Sequence, residues 1–290
     1  MTSNGRRRIW LLALALSILV ALAVQVAAAA AKPPNYVALG DSYTAGPFIP
    51  LQIPPYGCLK SDHNYPHLAL PQLPVASLRD PSCSGAETDD MTQAQNVDPD
   101  GPNPPQFNSL DANTRIASLG IGGNDIGFSE IARNCTSTSP SGHPCQDHYV
   151  VNGDDTIHDR IVATAPKVAA VIQGIHARSP NADVYVVNYL PILPETGNGC
   201  WPQVPIAYDD VPYLRAKQQE LNQMLADQAS ANGARLVDAY TAGIGHDACQ
   251  LPLIRWVEPA VPNSPAAPLH PNLFGMQGTA QAFLRTVHSH

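Results

Sequence analysis

Short apolar runs that stop at glycine or a polar residue recur along this chain, and segments of helical periodicity separate them. Tyr36 to Leu39 is one such run, ending at Gly40-Asp41-Ser42. Val75 to Leu78 is a weaker one and leads into Asp80-Pro81-Ser82-Cys83-Ser84-Gly85-Ala86. Arg115 to Leu119 stops at Gly120-Ile121-Gly122-Gly123-Asn124-Asp125, Asp183 to Tyr189 carries Val184, Tyr185, Val186 and Val187, and Ala234 to Val237 closes at Asp238. Runs of this length, bounded by turn residues, read as buried strands. Between them, Ile157, Ile161, Val162, Val168, Val171, Ile172 and Ile175 fall on the apolar face of a helix from Thr156 to Arg178. Pro166 inside that span predicts a kink or a break into two helices. A second helix runs from Tyr213 to Ala231, with Leu214, Leu221 and Leu225 inward and Asn232-Gly233 as its stop. Shorter helices are predicted around Tyr65 to Leu70 and from near Ile126, and a final one over Gly275 to Val287. Strands separated by helices, without tight hairpin signals, predict an α/β fold with a parallel sheet covered on both faces. One domain is expected from Lys32 to the end.

The first 31 residues stand outside that pattern. Arg6-Arg7-Arg8 precedes an almost unbroken apolar stretch from Ile9 to Val24, followed by small residues from Ala27 to Ala31. This reads as an export signal, or, if uncleaved, as an N-terminal membrane anchor, since the apolar run is just long enough to span a bilayer. The expected location is therefore secreted or in the cell envelope. Export changes the reading of the six cysteines, Cys58, Cys83, Cys135, Cys145, Cys200 and Cys249. An even count in an oxidising compartment favours three disulfides, with all 15 pairings open at this point. The absence of a Cys-x-x-Cys pair argues against zinc. Cys135 and Cys145 bracket a Ser/Thr/Pro/Gly loop, which reads as a stapled insertion with no core of its own.

The chain has 290 residues, is 44% hydrophobic and only 14% charged, and contains 29 prolines and 20 glycines, a composition of long ordered loops on a smaller regular scaffold. Its formal net charge is -8, and no basic stripe is present to neutralise phosphates, so a nucleic-acid partner is excluded.

Three of the strand ends place glycine beside a polar residue: Gly40-Asp41-Ser42, Ser84-Gly85-Ala86 and Gly122-Gly123-Asn124-Asp125. In a parallel sheet these ends share one edge, where open α/β folds build their sites. Near the end of the chain stands His270-Pro271-Asn272. Attack on an ester needs a nucleophile, a base for its proton, and donors aimed at the developing oxyanion. Ser42 and His270 supply the first two. The backbone N–H groups of Ser42 and Gly85 and the side-chain amide of Asn124 supply the third. The plainer alternative makes Ser42 a helix cap at an ordinary strand-to-helix turn. Asp41 reads as a loop-organising acceptor and Asp125 as the cap of the helix that follows it. His246-Asp247, beside Cys249, reads as a disulfide-stapled loop, and the remaining histidines share no ligand spacing, so neither metal nor cofactor is called for. Trp201, Trp256 and Tyr208 lie in loops and either line an acyl pocket or cover core.

Ser42, Gly85, Asn124 and His270, in this order and in these settings, resemble the four blocks of the SGNH (GDSL-type) hydrolases. Cys83-Ser84-Gly85-Ala86 and the six cysteines resemble the family's secreted actinobacterial lipase and esterase branch. The resemblance implies a three-layer α/β/α sandwich with a central parallel sheet (a flavodoxin-like SGNH hydrolase fold) and acyl transfer by Ser42 and His270. It also implies an oxyanion hole from Ser42, Gly85 and Asn124. It implies disulfides between neighbours, Cys58–Cys83, Cys135–Cys145 and Cys200–Cys249. One departure stands out: the family often carries Asp three residues before the histidine, and here that position is Ala267. Some members use a backbone carbonyl there, so the Ala267 carbonyl is expected to orient His270, with Asp247 and Glu258 as the nearest acids that could complete a triad instead. The implied function is that of an exported serine esterase or lipase acting on small-molecule or lipid esters without metal or cofactor. The alternatives are a carbohydrate deacetylase or phospholipase of the same fold, or an exported binding protein that has lost activity.

Overall fold

The apolar runs pair into one five-stranded sheet. The structure, a computed structural model, describes residues 33–289, so the expected N-terminal signal or anchor lies outside the described residues. The strands are β1 (Asn35–Gly40), β2 (Ser77–Arg79), β3 (Thr114–Gly120), β4 (Asp183–Val187) and β5 (Arg235–Val237), in the spatial order β2-β1-β3-β4-β5. All four pairings are parallel; Tyr36 lies opposite Ile116, Ser118 opposite Tyr185, and Val187 opposite Val237. The chain reverses its direction of travel across the sheet between β1 and β3, the crevice where doubly wound folds place ligands.

Among the described residues the α-helices are α1 (Ser42–Ala45), α2 (Tyr65–Ala69), α3 (Phe128–Asn134), α4 (Pro144–Tyr149), α5 (Thr156–Arg178), α6 (Val211–Ala231), α7 (Ala239–Ala242) and α8 (Leu273–His288). Side chains alternate along each strand. One face carries Tyr36, Ser118 and Tyr185, which meet α2 and α8: Tyr36 stacks on Phe283 at 5.4 Å, Tyr185 meets the same ring edge-on, and Ser118 Oγ holds the hydroxyls of Tyr36 and Tyr65. The alternate set, Val37, Leu39, Ala117, Leu119, Val184 and Val186, is buried on the other face, which the apolar stripes of α5 and α6 cover.

Helix α5 is one continuous helix across Pro166, not two. Pro166 and Val162, whose carbonyl loses its donor there, both lie on the solvent face, where water replaces the missing hydrogen bond. The three disulfides join Cys58 to Cys83, Cys135 to Cys145 and Cys200 to Cys249. Between Cys135 and Cys145, residues 136–144 are all exposed or half-buried, so the stapled insertion has no core of its own, and its ends anchor it to the main core. Cys145 and Tyr149 are buried in the main apolar cluster, and the buried carboxylate of Asp210 accepts the N–H groups of Cys145 and Gln146 at the start of α4. Among the described residues no helix is long and apolar enough to cross a membrane.

Candidate active site

The turn that carries Ser42 is held from both sides. The Gln106 side-chain amide donates to the Gly40 carbonyl (2.9 Å) and accepts the Gly40 N–H (2.8 Å), fixing the last residue of β1. A Cβ at Gly40 would stand 2.7 Å from the Gly120 carbonyl oxygen, so only glycine allows β1 and β3 to approach this closely. Asp41 caps α1, its carboxylate accepting the Tyr43 N–H at 2.9 Å. Ser42 is therefore not the cap. It is the first residue of α1, where the N–H has no intrahelical acceptor and the hydroxyl is free for another partner. That partner is His270, whose Nε2 lies 2.8 Å from Ser42 Oγ. Burial pushes the Asp41 carboxyl up to about 7, against hydrogen bonds from Tyr189 and Tyr43 that favour its charged form.

His270 sits on a loop that Glu258 organises. The Leu269 N–H donates to the Glu258 carbonyl (3.1 Å) and the Glu258 N–H to the His270 carbonyl (3.0 Å). The fully buried Glu258 carboxylate accepts Asn272 Nδ2 (2.7 Å) and the N–H groups of Asn263 (2.9 Å) and Ser264 (3.3 Å), with Arg255 Nε at 3.4 Å. Asn272 in turn caps α8 through the Gly275 N–H (3.1 Å). On the other side of the loop, the Tyr43 hydroxyl donates to the Leu269 carbonyl at 2.6 Å. The imidazole packs against Tyr43 and Phe128, at 5.2 and 5.9 Å between ring centroids.

The acceptor at His270 Nδ1 is the carbonyl of Pro268, at 2.7 Å, and not that of Ala267. The Ala267 carbonyl is used inside the turn, where it accepts the backbone N–H of His270 (3.2 Å), and the next carbonyl is the one that faces the ring. A carbonyl at Nδ1 requires the proton there, which leaves Nε2 as the acceptor facing Ser42. Neither acid considered from the sequence reaches the imidazole. Asp247 accepts the Cys249 N–H and the Gln250 amide, and Glu258 is consumed by the loop. Burial pushes the His270 pKa below its ordinary value, with the Pro268 carbonyl opposing.

Gly85 is pinned from both sides. The Cys83 N–H donates to the Gly40 carbonyl (3.0 Å), Ser84 N–H to the Cys58 carbonyl (3.0 Å), and Asn124 Nδ2 to the Ala86 carbonyl (2.9 Å). Gly85 itself adopts φ 80°, the left-handed region that favours glycine. The bond to Ala86 uses one N–H of the Asn124 amide and orients the other. Asp125 is not a helix cap. A turn through Ile126 intervenes, α3 starts after Gly127 without a side-chain cap, and the Asp125 carboxylate instead accepts the backbone N–H (3.0 Å) and hydroxyl of Thr88. Asn124 and Asp125 thus join the third block to the second.

Ser42 and Asn124 open onto an apolar pocket walled by Ile126, Phe128 and Ile131, by Ile157 of α5, by Ile192, Leu193, Val204 and Ile206, and by Leu214 and Leu221 of α6. None of Trp201, Trp256 and Tyr208 lines it. Trp201 donates to the Ser137 carbonyl, Trp256 stacks on His246 at 4.3 Å over Gly278, and Tyr208 is exposed. As a pocket the walls escaped the sequence reading because they come from separate segments; Ile157, Leu214 and Leu221, read as apolar-face or inward positions of their helices, were the signal.

A match to the GDSL-like lipase/acylhydrolase family extends over residues 38–277. The chain is 37% identical over 255 residues to lipase 2 of Streptomyces coelicolor, covering 85% of this chain and 83% of that protein. It is 27% identical over 257 residues to an esterase of Streptomyces scabiei, covering 77% and 74%. Among solved structures it is similar to phospholipase A1 of Streptomyces albidoflavus (TM-score 0.72, 24% identity, 89% of this chain and 99% of that one). The extracellular lipase of Streptomyces rimosus is similar in the same degree (TM-score 0.70, 24% identity, 88% and 99%). These two likenesses bear on the fold, and it is the sequence match across all four blocks that decides the family: the chain belongs to the GDSL-like lipase/acylhydrolases.

Proposed function

We propose that this family member is an exported serine ester hydrolase in which Ser42 and His270 act as a dyad. The observation that carries the reading is the 2.8 Å approach of His270 Nε2 to Ser42 Oγ at the mouth of the apolar pocket. His270 Nε2 takes the hydroxyl proton as Ser42 attacks the ester carbonyl. The Ser42 and Gly85 N–H groups and the free N–H of Asn124 receive the oxyanion. The imidazolium, held by the Pro268 carbonyl, returns the proton to the departing alkoxide. Water activated by the same imidazole then releases the acid from the acyl-enzyme.

The pocket walls favour an apolar acyl chain over the acetyl group of a sugar, so an esterase or lipase is preferred to a carbohydrate deacetylase. The complete set of Ser42, Gly85, Asn124 and His270 speaks against a binding protein without activity. Three disulfides, which persist in oxidising compartments, and the basic-then-apolar N-terminus support export. Mass spectrometry of the N-terminus of the exported protein distinguishes a cleaved signal from a retained anchor.

The test is hydrolysis of p-nitrophenyl esters of graded chain length by the protein and by Ser42→Ala and His270→Ala. Turnover that falls by roughly 10³-fold or more in both variants is the expected result. Wild-type protein inert toward every ester and toward a serine-directed phosphonate overturns the assignment.

A further inference from the structure

Tyr189 has no part in the steps above, yet its hydroxyl lies between the two halves of the reacting centre. It donates to Asp41 Oδ2 at 2.5 Å and accepts the Gly123 N–H at 2.7 Å. Asp41 immediately precedes Ser42, and Gly123 immediately precedes Asn124. The three residues follow the ends of β1, β3 and β4, which are adjacent in the sheet. The other oxygen of Asp41 is the one that caps α1 and so sets the start of the helix carrying Ser42. Gly123 has no room for a side chain, because a Cβ would stand 2.9 Å from the Tyr189 hydroxyl.

Tyr189 is itself held on two sides. The buried Asn222 of α6 accepts its N–H and donates to its carbonyl, both at 2.9 Å, and Tyr43 packs edge-on against its ring at 5.0 Å. Burial and the neighbouring Asp41 push the Tyr189 hydroxyl well above its ordinary pKa, so it remains a donor. Its proton goes to Asp41 and its oxygen is occupied by Gly123, which leaves it no donor for a substrate. Oxyanion donors accelerate a reaction only when they are placed before the charge develops.

We propose that Tyr189 is a positioning residue, a strut that fixes the separation between the Ser42 turn and the Asn124 donor. This rests on the reading of Ser42 and Asn124 as nucleophile and oxyanion donor. Without the hydroxyl, the side-chain bridge from Asp41 to Gly123 is lost, while the Asp41 N–H bond to the Gly120 carbonyl (3.0 Å) and the apolar walls that bind the acyl chain stay in place. The strut thus acts on the transition state and not on substrate binding.

The test is Tyr189→Phe, with turnover expressed per site titrated by a serine-directed phosphonate, so that a loss of folded protein does not count as a loss of catalysis. The expected result is a kcat about 10- to 100-fold lower with KM within about twofold, and an alkyl boronic acid, which forms a tetrahedral adduct, bound more weakly by a similar factor. Adding Tyr189→Phe to Asn124→Ala is expected to cost little beyond Asn124→Ala alone, since the strut acts through that donor. An unchanged kcat per titrated site, a rise in KM alone, or full additivity with Asn124→Ala overturns the strut and leaves the hydrolase reading standing. Wild-type protein that neither labels at Ser42 nor turns over esters overturns both.

Discussion

His270 Nδ1 lies 2.7 Å from the carbonyl oxygen of Pro268, a neutral acceptor in the place where a carboxylate would complete a triad. A carbonyl fixes the tautomer but carries only partial negative charge, so it raises the basicity of the ring little. Burial acts in the opposite direction and lowers the His270 pKa. His270 therefore stays neutral to more acidic pH than an ordinary histidine of about 6.5. The acid limb of kcat/KM is expected with its midpoint below that value, measured on a short soluble ester. A midpoint well above it would mean that a carboxylate reaches the ring. The sign for stability follows. The unfolded chain binds this proton more readily, so His270 lowers stability as pH falls through its unfolded value, and the effect is complete below its folded one.

Glu258 is the acid nearest the loop of His270, and its removal would mimic the loss of a catalytic group for a different reason. Its carboxylate accepts three N–H donors and pairs with the buried Arg255. Glu258→Gln turns an N–H group toward donors and leaves Arg255 unpaired, a cost of about 3–5 kcal/mol for a buried pair. The expected outcome is a lower Tm together with lower turnover, while the acid limb of the remaining activity keeps its position. A shifted acid limb at unchanged Tm would assign Glu258 to the imidazole instead. Asp247→Asn, remote from the ring, is expected to keep turnover within a few-fold of the parent.

Asp41 is buried with its carboxyl pushed up to about 7, so the folded chain holds a proton that the unfolded chain releases at about 4. Stability is therefore expected to fall as pH rises between those values, by the excess of protons bound in the native state. Asp41→Asn removes this contribution. Denaturant unfolding at a series of pH values checks it: the variant should show a smaller decline over that window than the parent, and an identical decline in both would place the titration elsewhere.

The pocket walls predict how chain length is read. Ile206→Trp places a larger side chain into the apolar space next to Val204. One methylene in an apolar pocket is worth about 10- to 200-fold in discrimination at most. The ratio of kcat/KM for a long acyl ester to that for an acetyl ester is expected to fall by about tenfold or more. A ratio that stays constant would show that the acyl chain binds outside this pocket.

Much of the architecture was legible in the residues. The apolar runs at Tyr36, Arg115 and Asp183 became central strands within a residue or two of their expected limits, and α5 spans the residues its periodicity marked. The edge strand β2 was less legible, shifting from the expected Val75–Leu78 to Ser77–Arg79, because three residues paired on one side carry little pattern of their own. Trp201, Trp256 and Tyr208, equally suited by type to a pocket or a cover, lie outside the pocket, and Trp256 packs against the core.

By itself the sequence determined the four polar blocks, the even set of cysteines and the strand-helix alternation, because each is a local matter of residue type beside a glycine or at a fixed period. Which carbonyl faces His270 was decided only by the tertiary structure, since Ala267 and Pro268 differ by the turn that consumes one of them. The same holds for Asp125, whose partner Thr88 lies 37 residues away, and for Tyr189, whose hydroxyl bonds span 148 residues to Asp41 and 66 to Gly123. Contacts at such separations leave no trace in spacing or periodicity; they exist because a parallel sheet brings the ends of distant strands to one edge.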